Sequence, residues 1–386
     1  MTVQYFLETV CLTIAVSGSI YAVLCVFTGA MFRARMRGRA SVKYFPPVTV
    51  LKPLYGADKH LTDNLRAACS MDYPDYQVVL SVQRLNDPAI PVMQRVQQEF
   101  GEGRVSLVIG DSEARANGKI QNLEIAFAHA RHDVIVISDS DIKVGPDYLK
   151  AIVGPMADEK VGCVSTPYRV INAHRWYEKL ELLTMNADFV PNLILASTAR
   201  LTAFGLGASM CFRRKDLEAV GGFGAFREVL AEDARIALAI EKLGRRVLVA
   251  PYFVDMEVEL KSFSDWWGHD LYWDQNTRVV RRAGFIGTII IRAIPFALFY
   301  ALLRGFDSLG LEVLAGAIAV RLVTAGILLW GLLGDREGLA ALWLLPLRDL
   351  FGLVFWALAL LKRDFIRRGE RFGLLADGRI VPKTAR

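Results

Sequence analysis

Hydrophobic and polar positions divide the chain into three regimes. Residues 10–32, "VCLTIAVSGSIYAVLCVFTGAMF", form an apolar run without a charge, long enough to cross a bilayer as a helix. Between about 45 and 262 the apolar positions contract into short runs bounded by polar residues. "VTVLKPL" (48–54), "QVVLSVQ" (77–83), "VSLVIG" (105–110) and "DVIVISDSD" (133–141) read as strands buried on both faces. The stretches between the first three, and the one before the fourth, read as helices, for example "PVMQRVQQEF" (91–100). After about 283 long apolar segments return, at 285–303, 309–333 and 339–361. Each has interior charge: Arg292; Glu312 and Arg321; Arg348 and Asp349. Spans tolerate such residues when they are paired, face the bundle or lie near an interface, so a mixture of spans and interfacial helices is expected.

The second half of the middle regime is less regular. A helix is predicted around 174–190, then a Gly-rich loop, a short strand and a helix start over "LTAFGLGASMCFRRKDL" (201–217). "EDARIALAIEKLG" (232–244) carries apolar residues at helical spacing and closes on Gly244. Alternating strands and helices imply an α/β fold with a doubly wound, mostly parallel sheet, whose ligands bind outside the carboxyl ends of the strands.

Charge sets the orientation. Glu8 is the one charge before the first apolar run, and Arg33, Arg35, Arg37, Arg39 and Lys43 follow it. This is the reverse of a cleaved signal peptide, so a retained anchor is expected, with the basic side in the cytosol. A second basic flank, "KRDFIRRGER" (362–371), follows the last apolar segment. The net charge of +6 and isoelectric point of ≈ 9.0 fit a protein lying against anionic lipid. Nucleic acid is not an expected partner, because no aromatic-basic binding motif is present. The five cysteines form no CxxC pair and read as reduced, buried thiols. The five histidines are dispersed, which argues against a His-based metal site.

Candidate chemistry then falls at strand ends. Asp139-Ser140-Asp141 can hold a hard divalent cation, Mg2+ or Mn2+, together with phosphate oxygens; the bland alternative is a turn or a helix cap. Asp87, in "RLNDPAI", follows the second strand and can accept a hydrogen bond from a base or ribose, or simply shape an Asp-Pro turn. Lys119 starts a helix after an Asn-Gly turn, where an ammonium reaches a phosphate or remains solvated. Glu232-Asp233 opens a helix, where acids favour the dipole; alternatively Asp233 is a general base. "SDWWGHDLYW" (264–273) sets His269, Tyr272 and Trp273 just before the returning apolar region, as part of a site or as an interfacial aromatic belt.

A strand-end Asp, then DxD, then ED, then an aromatic-rich motif before membrane segments resembles the inverting glycosyltransferases of GT-A fold. Within them the chain resembles the ceramide glucosyltransferase family and its bacterial relatives acting on hopanoid lipids. The likeness covers roughly residues 48–282 and the flanking membrane segments, through "VTVLKPLYG", "NLRAACSMDYPDYQVVLSVQ", "NDPAI", "NGKIQNL", "SDSDIKVGPDYL", "GLGASMCFRRKDL" followed by "GGF", and "AED". It implies that Asp87 contacts the uridine, that Lys119 and Asp139 lie in the donor pocket, that Asp139 and Asp141 bind the metal, and that Asp233 is the base. The family's last motif, (Q/R)xxRW, falls on His269 to Trp273, keeping only the Trp. A competing placement, Gln275 to Val279, keeps Gln and Arg but loses the Trp.

The expected organisation is an N-terminal transmembrane anchor (1–33), a cytosolic GT-A domain (34–282), C-terminal membrane helices (283–364) and a cytosolic tail (365–386). The resemblance implies a multi-pass enzyme of the bacterial inner membrane moving N-acetylglucosamine or glucose from a UDP-sugar to a lipid hydroxyl, most simply that of a hopanoid. Transfer from UDP-glucose to ceramide is the alternative. A processive polysaccharide synthase would need more spans and an intact QxxRW, and a non-catalytic binding protein would not need Asp139, Asp141 and Asp233 together.

Overall fold

Alternation along each central strand sends side chains to two faces, and this decides where the core lies. The computed structural model describes residues 3–38, 43–111, 117–201, 203–362, 364–367, 370–375 and 380–382; Arg39 and parts of the basic tail lie outside them. The strands in chain order are β1 (Val48–Pro53), β2 (Tyr76–Val82), β3 (Val105–Ile109), β4 (Val134–Ser138), β5 (Ile142–Lys143), β6 (Val161–Ser165), β7 (Tyr168–Ile171), β8 (Ser209–Arg213), β9 (Arg246–Val249) and β10 (Val254–Glu257). Three short strands, β11 (Asp364–Arg367), β12 (Glu370–Leu374) and β13 (Ile380–Pro382), form an antiparallel sheet in the tail.

The main sheet has the order β3-β2-β1-β4-β8-β6-β9. All the pairings are parallel except those of β8, which runs antiparallel to both β4 and β6. Val48, Val50, Val78, Val134 and Val136 point into one core, whereas Leu51, Val79, Ile135 and Ile137 point into the other. Both faces are therefore covered, as continuous apolar strands require. A second sheet, β5-β10-β7, stands beyond the end of β4 and places β7 beside the same edge.

The helix expected over 174–190 is longer and interrupted. It runs as Trp176–Leu183, then a π-helical turn Thr184–Phe189, then Val190–Thr198. The turn widens the helix at Asp188, which explains the break: Asp188 receives Arg348 at 2.7 Å, Arg321 at 3.5 Å and Arg292 at 3.9 Å. Arg321 and Arg348 also pair with Asp349, at 2.9 and 3.2 Å. The interior charges of the apolar segments are thus neutralised where those segments meet the α/β domain, while Glu312 stays exposed.

Among the described residues, three helices are long and apolar enough to cross a membrane: Val3–Arg37, Ser308–Leu333 and Leu342–Leu361. The segment expected at 285–303 is not one straight helix. It bends by 57° between Arg282–Ile291 and Ala293–Leu303, breaking at Arg292, the residue drawn toward Asp188. Trp266 and Trp267 pack edge-on against Phe351 and Phe355 of the last apolar helix, and Trp266 is 0% exposed.

Candidate active site

β4 ends at Ser138, and the chain turns at once, with Ile142 N donating to Asp139 O at 3.3 Å. The turn is held from beneath. Lys52, 0% exposed at the end of β1, donates through Nζ to the carbonyls of Asp139 (2.7 Å) and Ile142 (3.2 Å). Asn64 Nδ2 donates to Ser140 O at 3.2 Å. Burial lowers Lys52 to about 8, against the pull of Asp141 and Asp139. Neither residue was singled out in the sequence; the one signal for Lys52 is a lysine inside an otherwise apolar strand.

Lys119 opens the helix Gly118–Phe127, whose N-cap Asn117 accepts from Ile120 N and donates to Glu232 Oε2 at 3.1 Å. From there Lys119 Nζ reaches Asp139, 2.6 Å from Oδ1 and 2.7 Å from Oδ2, and donates also to Gly207 O at 3.1 Å. Burial opposes its charge, but Asp139, Glu232 and Asp233 outweigh that and raise its pKa. The lysine is therefore neither solvated nor free; it closes one side of the carboxylate turn.

Asp233 lies in the first turn of the helix Glu232–Lys242. Its Oδ2 accepts from Gly207 N at 2.7 Å and its Oδ1 from Ala234 N at 2.8 Å. The Gly-rich loop is required for this approach. A Cβ on Gly205 would fall 2.1 Å from Asp233 O, and one on Gly207 would fall 2.9 Å from both Asp233 Oδ2 and Lys119 Nζ. Ala231, just before the helix, holds φ at 56°, a left-handed conformation that costs a non-glycine residue about 1 kcal/mol. Burial, then the Glu232 charge, raise Asp233 to about 6 despite Lys119 and the two backbone donors. A carboxyl tuned in this way is suited to exchange a proton near neutral pH.

Asp141 is exposed, yet its carboxyl is crowded by protein and faces Asp139, and these two effects raise it to about 6. Like-charge crowding of this kind is what a cation relieves. Asp141 is the open carboxylate of the pair, and Asp139 shares its oxygens with Lys119. Asp87 stands on the adjoining loop and is buried. Its Oδ1 accepts from Gly56 N at 3.0 Å and Ala89 N at 2.9 Å, tying the loop after β1 to the one after β2.

The last predicted group lies on the helix Phe263–Val280. His269 Nδ1 is 3.3 Å from Glu181 Oε1, and Trp273 Nε1 donates to His269 Nε2 at 2.9 Å. Tyr272 packs beside Trp273, ring centroids 5.6 Å apart, and against Leu230 and Phe372 of β12. Glu181 was not singled out in the sequence because nothing local distinguishes an acid on an amphipathic helix. His269 feels the Asp141 charge, and Tyr168 of β7 feels Asp233, Glu181, Asp141 and Asp139, so these groups surround one region. Of the competing motif placement, Gln275 donates to the carbonyls of Lys362 and Asp364 and Arg278 to that of Leu360, tying this helix to the end of the last apolar one. The five cysteines are all buried and free.

The fold has a solved counterpart in a mannosyltransferase from Pyrobaculum calidifontis, in complex with GDP-mannose and Mn2+. It is 21% identical with a TM-score of 0.54, and the match covers 90% of this chain and 98% of that one; at this identity the likeness is one of fold. Among curated proteins, a probable glycosyltransferase of Bacillus subtilis is 28% identical over 253 residues, 63% of this chain and 58% of the relative. Ceramide glucosyltransferase 1 of Caenorhabditis elegans is 26% identical over 211 residues, 54% of this chain and 44% of the relative. In both, the match spans less than two thirds of the relative's length. The sequence model of glycosyl transferase family 21 matches residues 10–380. With almost the whole length matched, the chain belongs to glycosyl transferase family 21.

Proposed function

We propose that the protein is an inverting glycosyltransferase that moves a sugar from a UDP-sugar to a hydroxyl of a membrane lipid. The observation that carries this reading is Asp233, raised to about 6 and fixed by Gly207 and Ala234 beside the Lys119–Asp139 pair. Asp233 accepts the proton of the acceptor hydroxyl while that oxygen attacks the anomeric carbon. The bond to the UDP oxygen breaks on the opposite face, so an α-linked donor yields a β-glycoside. Lys119 and Asp139 hold the donor, and Asp87 orders the loops on the uridine side. The residues fit Mg2+ or Mn2+ at Asp141 and Asp139, and such an ion, when bound, supplies positive charge to the leaving diphosphate.

Long apolar helices packed on the same domain favour an acceptor that stays in the bilayer. The basic flank after the first helix, Arg35 and Arg37, favours a catalytic domain on the cytosolic side of a bacterial inner membrane. The resemblance carried by "SDSDIKVGPDYL" and His269 favours a hopanoid acceptor and UDP-N-acetylglucosamine. Ceramide with UDP-glucose is the second reading, favoured by the relatives named ceramide glucosyltransferases.

Membranes containing the protein, incubated with each radiolabelled UDP-sugar and either bacteriohopanetetrol or ceramide, test this. Labelled β-N-acetylglucosaminyl hopanoid is expected. Labelled glucosylceramide would select the second reading, and a long polymer would select a processive synthase. Release of free sugar with no labelled lipid would overturn lipid transfer.

A further inference from the structure

Glu181 is a buried acid, with its side chain 1% exposed, on the helix Trp176–Leu183. Two groups of the helix Phe263–Val280 approach it, His269 and Asp270. Asp270 is buried, accepts from Thr184 Oγ1 at 3.2 Å, and is pushed well above the usual carboxylate range by burial and the Glu181 charge. Of the two acids, Asp270 holds its proton the more strongly. Glu181 keeps the negative charge, its own burial being offset by His269.

The indole of Trp273 decides how His269 is protonated. An indole N–H only donates, so His269 Nε2, which receives it at 2.9 Å, carries a bare lone pair. The single proton of the neutral ring then sits on Nδ1, which lies 3.3 Å from Glu181 Oε1, a close electrostatic contact in which neither atom has a hydrogen-bond partner. The Glu181 charge also draws the ring toward the imidazolium form, but that form would set two N–H groups against each other at Trp273. Trp266 and Trp267 of the same helix are spent on packing against Phe351 and Phe355, whereas Trp273 is 42% exposed. It lies one turn from His269 on the same helix face, beside Tyr272.

We propose that Glu181 is a positioning residue: it fixes the Nδ1–H tautomer of His269, and the bare Nε2 then holds Trp273 as a flat apolar wall for the lipid acceptor. The assignment of the wall to an acceptor rests on the function proposed above. Glu181, His269 and Asp270 each bring one ligand atom within 4.8 Å of the others, which also suggests a cation. A cation on Nδ1 would force the ring proton to Nε2, against the indole N–H, so a neutral ring with its proton on Nδ1 beside the Glu181 charge is the arrangement that keeps the Trp273 contact.

The test uses the full-length protein in nanodiscs at pH 8.5, with 15N-labelled histidine, His269 being assigned by comparison with His269→Ala. The wild type is expected to show the Nδ1–H tautomer. Glu181→Gln, which keeps an oxygen acceptor, retains it, and Glu181→Leu shifts the ring toward Nε2–H. With the lipid acceptor, Glu181→Leu and Trp273→Phe each raise its KM roughly tenfold, a loss of about 1.4 kcal/mol, and leave the donor Kd unchanged. The double variant is no worse than either, as coupling through one chain requires. An Nε2–H tautomer in the wild type, equal tautomers in all three proteins, or a stoichiometric metal that survives chelation and is lost in Glu181→Leu would overturn the proposal. If the wild type transfers sugar to no lipid, the function proposed above fails, and the tautomer measurement still decides the role of Glu181.

Discussion

Lys119 grips both oxygens of Asp139, at 2.6 and 2.7 Å, while also donating to Gly207 O. One ammonium therefore joins the end of β4 to the Gly-rich loop that holds Asp233. Lys119→Met leaves the half-buried Asp139 without its partner and removes the cation proposed to hold the donor. Activity is expected to fall by at least ~100-fold, the scale for losing one preorganised electrostatic group, with UDP-sugar affinity falling as well. A variant that bound and transferred normally in calorimetry and turnover assays would remove Lys119 from the donor site.

Asp233→Asn keeps the shape and loses the carboxylate proposed as the base. Transfer should be abolished while UDP-sugar binding, read by calorimetry, stays largely intact. Loss of donor binding would argue instead that Asp233 holds the donor.

The pH dependence follows from the same group. A general base works when ionised, and burial with Glu232 raises Asp233 to about 6. The acceptor kcat/KM should therefore fall as pH falls through about 6 and level off above it. Glu232→Gln removes the neighbouring charge and should move that limb to lower pH. A flat profile between pH 5 and 8 would contradict the assignment.

Asp139 and Asp141 repel each other unless a cation lies between them. Chelation by EDTA is expected to abolish transfer, with recovery on adding Mn2+ or Mg2+. Asp141→Asn should weaken metal binding in calorimetry as well as activity. Full activity in EDTA would exclude a metal role for the pair.

Asp188, Arg348 and Asp349 anchor the apolar helices to the α/β domain. Arg348→Met removes the closest cation from Asp188 and leaves Arg321 to serve both Asp188 and Asp349; it should cost about 3 kcal/mol, read as an early thermal transition in detergent. Arg66→Ala, which removes an exposed pair with Glu99 at 2.9 Å, should cost less than about 1 kcal/mol. Equal effects would show that the buried network does not hold the two parts together.

The sequence by itself determined the strands β1 to β4, the helix Glu232–Lys242 and the long apolar helices, because each rests on a local period of burial or on an unbroken apolar run. It also placed Asp139, Asp141 and Asp87 beyond strand ends, since the carboxyl edge of an α/β sheet follows from strand order alone. What no local pattern carries is the partner of a charge. Lys52 beneath the Asp139 turn, Glu181 against His269, and Asp188 among three arginines are brought together by residues 87 to 160 positions apart. The bend at Arg292 has the same origin: an apolar segment is continuous in sequence, but its one buried cation must reach Asp188 on another helix. Burying a charge requires a counter-charge, and only the tertiary structure decides which one is within reach.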